Sequence, residues 1–384
     1  MRRRLVILTE IISPYRIPLF NALAEDGEVD LHVIFLAETD PILRQWQVYK
    51  EEIQFSYQVL PSWRKWVGRY NLLLNRGVGG ALARAAPDVI LCGGYNYFAS
   101  WRSLLWARVH KVPFVLWSES NAMDQRRGHS VVELLKSEFL RQCSGFVVPG
   151  QSAKEYLCAH KGIKEDVIFT APNAVDNNFF ARAGAAARQN AATHRQALAL
   201  PERYFLFAGR LVREKGVFEL LSAYAKLDES IRQRVGLVFV GDGGSRQQLE
   251  MQAASISPGV VRFAGFAQRQ QLAIYYALAE MLILPTYTDT WGLVVNEAMA
   301  CALPVILSRA AGCAVDLLTE NWNGLLVPPR DVSSLNLAMR SLADQPDLCA
   351  AMSVHSVQRV ARYSPGEWSR GIARMVEAQG ATRD

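Results

Sequence analysis

Met281–Ser308 reads MLILPTYTDTWGLVVNEAMACALPVILS. The apolar run Met281–Leu284, closed by Pro285, predicts a short buried strand. Thr286–Gly292 is a polar loop, and Leu293–Ala302 is dominated by helix formers. Pro304 stops that helix, and Val305–Leu307 predicts the next parallel strand. The loop of such a strand–loop–helix–strand unit emerges at the carboxyl end of a sheet, where open α/β folds bind ligands. Asp289 in the loop and Glu297 one turn into the helix stand eight residues apart. Between them, Gly292, Leu293 and Val294 would offer unpaired backbone N–H groups at a helix N-terminus, an arrangement that favours a phosphate. Glu297 suits a pair of ribose hydroxyls, because a carboxylate can accept two hydrogen bonds at once. Asp289, across the phosphate position, would grip a second polyhydroxyl group. The order is that of a nucleotide, a diphosphate and a sugar.

The stretch PTYTDTWGLVVNEAMACALPVILS resembles the C-terminal signature of the group 1 retaining glycosyltransferases, family 4, with its two acidic residues at a fixed gap. That family usually has Glu at the first acidic position, where this chain has Asp289. The resemblance implies an α/β protein of GT-B type, two Rossmann-like domains with parallel sheets facing across a cleft. It implies a retaining transfer of sugar from a nucleoside-diphosphate sugar, UDP or GDP, to a hydroxyl acceptor. A glycan or lipid-linked glycan of surface-polysaccharide or glycoconjugate biosynthesis is the expected acceptor. Asp289 or Glu297 alone would read as a solvated charge on an ordinary crossover. The whole arrangement does not.

With 384 residues, half of them hydrophobic and a fifth charged, the chain suits two globular domains rather than a disordered or membrane-spanning protein. The start, MRRRLVILTEII, imitates a signal peptide, but Thr9 and Glu10 interrupt the apolar run at once, so a first buried strand is expected. Six scattered cysteines without a CxxC pair point to a reducing, cytoplasmic compartment and to neither zinc nor a disulfide framework. A formal charge of +6 permits an anionic partner without selecting one.

Leu5–Thr9 and Val29–Leu36 predict the first two strands, around a helix over about 16–25. Their connection carries Ser13-Pro14-Tyr15-Arg16 in place of a glycine-rich phosphate loop. In the resemblance this loop faces the cleft, so Tyr15 and Arg16 are acceptor-side candidates; capping the helix is the other reading of both. In Pro61–Arg76, Trp63, Trp66 and Tyr70 interleave with Arg64, Lys65 and Arg69. Such a pattern suits an anionic membrane surface or single-stranded nucleic acid. A surface loop and helix with inward-packed tryptophans is the alternative; a nucleic-acid partner is not expected for the chain as a whole. Glu119 follows the strand Phe114–Ser118, at the carboxyl end where the family's acceptor residues cluster. It is the candidate to contact or deprotonate the acceptor hydroxyl, against a loop or capping carboxylate. Asp124–His129 reads as a cationic loop.

Residues 1–175 form the expected N-terminal acceptor domain and 200–363 the nucleotide-sugar domain. The tail from 364 to 384 resembles the family's helix that crosses back to the first domain. Ala181–Ala199 reads as connection and partial helix. In the second half, the strand Arg203–Ala208 delivers Gly209-Arg210 and, after a short gap, Lys215-Gly216. Arg210 and Lys215 resemble the family's diphosphate-binding pair. A leaving diphosphate gains negative charge as the glycosidic bond breaks, and fixed cations in a water-poor site stabilise it. Gly241, after the strand Gly236–Val240, is expected beneath the nucleobase. Phe266 is placed at the base edge or in the core. No DxD occurs, so these cations would replace a metal, and no cofactor is expected beside the donor. A GT-B epimerase or phosphorylase shares the architecture and is the alternative activity. A non-catalytic binder of lipid or nucleic acid would rest on 61–76 alone.

Overall fold

The computed structural model describes residues 2–40, 45–67, 70–122 and 130–381. Asp124–His129 therefore lies outside the described residues. Two compact units emerge, Met1–Val175 with Pro365–Asp384, and Asp176–Ser364.

The first unit contains β1 (Arg3–Thr9), α1 (Ile17–Asp26), β2 (Val29–Phe35), β3 (Ser56–Val59), β4 (Ser62–Val67), β5 (Tyr70–Asn75), α2 (Val78–Ala85), β6 (Val89–Cys92), α3 (Phe98–Val109), β7 (Phe114–Trp117), α4 (Ser130–Arg141), β8 (Gly145–Val148), α5 (Gln151–Lys161) and β9 (Ile168–Thr170). Its seven-stranded sheet has the order β3-β2-β1-β6-β7-β8-β9, every pair parallel. Successive β1 residues feed opposite cores: Leu5 and Ile7 join one cluster, Val6 and Leu8 the other. A sheet covered on both faces needs continuous apolar strands, which is why these runs show no polar alternation. Pro18 sits in the first turn of α1, and Gly27 ends that helix at φ 67°, in the left-handed region.

The second unit contains α6 (Asn177–Gln189), α7 (Ala191–Leu198), β10 (Tyr204–Ala208), α8 (Val217–Ala225), α9 (Glu229–Arg234), β11 (Gly236–Val240), α10 (Arg246–Ala253), β12 (Val261–Gly265), α11 (Arg269–Leu278), β13 (Met281–Leu284), α12 (Leu293–Ala300), β14 (Val305–Ser308), α13 (Ala314–Leu317), β15 (Gly324–Val327), α14 (Val332–Ala343) and α15 (Pro346–Val360). Its six-stranded parallel sheet has the order β12-β11-β10-β13-β14-β15. The Asp331 carboxylate caps α14 by accepting the Ser334 N–H at 2.9 Å, as its place before the helix predicts.

The terminal helix, α16 (Pro365–Ala381), belongs to the first unit. Its Trp368 is fully buried between Phe20 and Trp117, with ring centroids 5.7 and 5.5 Å away. Among the described residues no helix is long and apolar enough to cross a membrane.

Two segments differ from the sequence reading. Ala181–Ala199, expected as connection and partial helix, is helical nearly throughout, holding most of α6 and all of α7, with α6 capped by Asp176, whose carboxylate accepts the Phe179 N–H at 2.9 Å. Alanine-rich composition masks an amphipathic period, because Ala fits either face. The 61–76 stretch is neither loop nor helix: β4 and β5 form an antiparallel hairpin. Trp63 pairs with Leu74 and Lys65 with Leu72 on one face, while Arg64 and Leu73 point to the other. Trp63 is 54% exposed and Leu73 is buried, so the hairpin presents one apolar face outward and turns the other in.

Candidate active site

In the second unit the strand order reverses between β10 and β13, so the loops after these two strands emerge side by side. Ligands of open α/β sheets bind at such a switch point. The two loops touch. Gly216, at φ 69°, has no room for a side chain, since a Cβ there would lie 2.0 Å from the Pro285 carbonyl oxygen. The Tyr287 N–H donates to the Glu214 carbonyl at 2.8 Å, and the Thr286 hydroxyl lies 3.0 Å from the same oxygen. This contact brings Lys215 onto Asp289, and the two form an ion pair whose side chains are only 16% and 15% exposed.

The rest of the Asp289 loop is held as well. The Gly312 N–H donates to the Asp289 carbonyl at 3.0 Å, and the Cys313 N–H to the Trp291 carbonyl at 3.1 Å. Trp291 is buried, its indole N–H donating to Asn296 Oδ1 at 2.9 Å. Gly292 follows at φ 102° and starts α12. The Leu293 and Val294 N–H groups have no acceptor among the described residues. Arg210 is exposed and makes no ion pair among the described residues.

Deeper in α12, Glu297 Oε2 accepts a 2.7 Å hydrogen bond from the hydroxyl of Tyr276 on α11, a fully buried residue. Burial pushes the Glu297 carboxyl up to about 7, with the tyrosine hydrogen bond opposing the shift. Burial raises the Tyr276 hydroxyl too, reinforced by the Glu297 charge. Tyr276 escapes sequence reading because it shares its inward helical face with ordinary core residues.

The glycines Gly209, Gly241 and Gly265 line up at the ends of β10, β11 and β12. Gly209 N–H donates to the Val240 carbonyl at 2.9 Å, and Gly241 N–H to the Gly265 carbonyl at 2.7 Å. A Cβ on Gly241, at φ 127°, would meet the Gly209 carbonyl oxygen at 1.9 Å, so only glycine permits this flat floor. Phe266 beside it is 41% exposed, which rules out the core reading.

In the first unit the switch lies between β1 and β6. Arg16 spans three elements there. It donates to Thr9 Oγ1 at 2.8 Å, lies 3.3 Å from Glu119 Oε1, and stacks 4.4 Å from the Trp117 ring centroid. The side chain makes no cap bond to α1. Tyr15 packs edge-on against Trp46 at 5.8 Å. The structure therefore joins Arg16 and Glu119, chosen separately from the sequence, into one ion pair.

A second network nearby is absent from the sequence reading. Arg64 pairs with Asp40, and its other terminal nitrogen lies 3.4 Å from Glu10 Oε1. Tyr97 hydrogen-bonds Glu10, and burial followed by the Glu10 charge pushes its hydroxyl up. Glu10, Asp40 and Tyr97 each follow a strand, β1, β2 and β6. Their common address at a carboxyl end was the available signal; Arg64 had none. Among the described residues, no group of three or more His, Cys, Asp or Glu could hold a metal ion.

Residues 190–357 match the family model for glycosyl transferases group 1, and residues 19–179 that for glycosyltransferase family 4. D-inositol 3-phosphate glycosyltransferase 1 of Catenulispora acidiphila is 32% identical over 193 residues, 47% of this chain and 45% of that protein. The putative teichuronic acid biosynthesis glycosyltransferase TuaC of Bacillus subtilis is 33% identical over 141 residues, 37% of this chain and 33% of its own. The matched regions thus span less than half of either relative. Among solved structures, sucrose-phosphate synthase from Thermosynechococcus elongatus superposes with TM-score 0.76 at 19% identity, over 99% of this chain and 100% of that one. HepE of Anabaena, in complex with UDP and glucose, gives TM-score 0.75 at 17% identity, over 98% and 100%. Those two likenesses show the fold, and the family models extend over most of both units. The chain belongs to the group 1 glycosyltransferases of family 4 and has their GT-B pair of Rossmann-like halves.

Proposed function

We propose that the protein transfers a sugar, with retention, from a UDP- or GDP-sugar to a hydroxyl of a glycan or lipid-linked glycan. The observation that carries this reading is the convergence at one switch point of Lys215, Asp289, the free N–H groups of α12 and Glu297. Arg210, Lys215 and Leu293–Val294 would hold the diphosphate, Glu297 the ribose, Gly209, Gly241 and Phe266 the base, and Asp289 would face the sugar. Arg16, Tyr15 and Glu119 would meet the acceptor. In this scheme the leaving diphosphate and the incoming hydroxyl share one face of the sugar, and a donor phosphate oxygen takes the acceptor proton. The cations and helix end carry the leaving-group charge, so no metal is required. The test is turnover of UDP- and GDP-sugars against a panel of glycan acceptors, with EDTA and with magnesium. Nucleoside diphosphate should form only with an acceptor present, equally under chelation. Turnover that needs free phosphate, or no acceptor, would assign a phosphorylase or an epimerase instead.

The raised Glu297 carboxyl makes ribose recognition pH-dependent. Only the carboxylate accepts both hydroxyls, so nucleotide affinity should fall as pH drops through about 7. The nucleotide phosphate titrates in the same range, near pH ~6. Calorimetry with the nucleoside diphosphate and its 2′,3′-dideoxy analogue separates the two effects, because both carry the same phosphate. The difference between them should vanish toward pH 5.5 and in Glu297→Gln. A difference that stays constant with pH would remove Glu297 from the ribose.

We also propose peripheral binding to the inner face of an anionic membrane through the outward hairpin face, where Trp63, Leu72 and Leu74 are exposed beside Lys65. Arg64 is excluded, being turned inward onto Asp40. Trp63→Ala/Lys65→Glu should sediment less with anionic vesicles than wild type while neutral vesicles bind neither. Equal sedimentation of variant and wild type would leave the hairpin face without this role.

A further inference from the structure

The outer face of α3 is apolar where a surface helix normally turns polar residues to water. Ala99, Ser100, Ser103, Leu104 and Ala107 are buried and form its inner side. Phe98, Leu105 and Val109 stand on the opposite side and are 58%, 64% and 69% exposed. With Arg102 they follow the spacing i, i+4, i+7, i+11, which on a helix is a stripe about 60° wide and about 17 Å long. A helix that is apolar on both sides is one that something covers.

The excess extends to the elements around α3. β5 and α2 pack against it, and α4 meets it through Phe139, whose ring centroid lies 4.9 Å from that of Trp101. The hairpin β4–β5, α3 and α4 carry nine of the eighteen large hydrophobic side chains exposed among the described residues. Single exposed hydrophobes are ordinary, whereas a cluster on adjoining elements marks an interaction surface.

Charge selects what covers it. Pro61–Ser118 contains eight Lys and Arg and one acid, Asp88, an excess larger than the +6 of the whole chain. Asp88 is occupied at the amino end of β6, where its carboxylate accepts the Arg4 N–H at 2.8 Å. α3 and the turn after it contribute Arg102, Arg108 and Lys111, all exposed, and no carboxylate.

We propose that the outer face of α3 lies on an anionic lipid bilayer, with Phe98, Leu105 and Val109 at the headgroup–acyl boundary and Arg102, Arg108 and Lys111 among the lipid phosphates. The inference rests on the membrane reading of the hairpin and extends it to a second element, against which β5 packs. A convex stripe of separate side chains suits a deformable lipid surface, which needs no matching groove. A second copy of the chain fits poorly, because a two-fold contact would set the same cations against one another.

The test is sedimentation of the full chain with phosphatidylglycerol and with phosphatidylcholine vesicles at matched ionic strength. Wild type should bind the former and not the latter. Leu105→Ser/Val109→Ser should lower the partition coefficient for phosphatidylglycerol about tenfold or more, the loss of two aliphatic side chains from the boundary. Arg102→Glu should also lower it about tenfold or more, with the difference from wild type shrinking as salt is added. These changes are on exposed positions, so thermal melting should match wild type. Trp63→Ala/Lys65→Glu is run beside them. Weaker binding in that hairpin variant, with wild-type binding in both α3 variants, would overturn the α3 assignment and leave the hairpin reading standing. Absence of binding by wild type would overturn both. Dimerisation of the lipid-free protein that Leu105→Ser/Val109→Ser abolishes would overturn the lipid assignment in favour of a second copy.

Discussion

Lys215→Ala is expected to lower kcat by about 10²–10³ while KM for the donor changes little. In the proposed reaction the charge that Lys215 would meet grows as the glycosidic bond breaks, so its removal would weigh on the transition state more than on the bound donor. For that proposed role the lysine would be held in place beforehand. Its ammonium is already held by Asp289, in a pair largely withdrawn from water, so little reorganisation is left for the moment of reaction. Asp289→Asn keeps the shape and removes that hold. It should cut turnover at least tenfold, about 1.4 kcal/mol of barrier, while the nucleoside diphosphate still binds through Arg210, α12 and Glu297. If the two residues act as one unit, the double variant is no slower than Lys215→Ala alone. Asp289→Glu, which restores the family's usual residue, should also lose activity. Its extra methylene must fit between loops already pinned by the Glu214 and Gly312 contacts. Single-turnover rates for the four proteins decide the matter, and unchanged kcat in Lys215→Ala would return that residue to a structural role.

Arg64→Ala should destabilise the first unit by about 3–5 kcal/mol, the usual consequence of removing one partner from a buried ion pair. Asp40 is only 2% exposed and Arg64 13%, so the aspartate loses its cation where water cannot replace it. Trp63→Ala and Lys65→Glu, one residue to either side but on the outward face, should each stay within about 0.5 kcal/mol. Arg64→Met, which keeps much of the length but not the charge, should behave like Arg64→Ala if the ion pair matters and like wild type if only packing does. Urea unfolding followed by tryptophan fluorescence measures all four. An Arg64→Ala protein as stable as wild type would show that the pair contributes nothing net.

The hairpin shows where local pattern fails. WRKWV alternates large apolar and cationic residues, which satisfies an interfacial helix, a surface loop and a two-faced strand alike. Its antiparallel partner resolves the ambiguity: with Arg64 opposite Leu73, one register sends both inward. Likewise Ala181–Ala199 carries helix formers without a visible period, and only packing shows that Gly184 and Ala187 of α6 are buried while α7 buries no residue.

The sequence by itself determined the parallel α/β halves, because strands buried on both faces must be continuous apolar runs and Pro and Gly mark their ends. It also determined which residues stand in the loops and first helical turns that follow strands: Arg210, Lys215, Asp289, Glu297, Arg16 and Glu119. Only the tertiary structure decided which of them meet. Lys215 and Asp289 are 74 residues apart, Glu297 and Tyr276 are 21 apart, and Arg16 and Glu119 are 103 apart. Such contacts depend on strand order and on how closely two loops approach, as Gly216 against the Pro285 carbonyl does. Strand order is set by packing of the whole sheet, and no short window of sequence contains it.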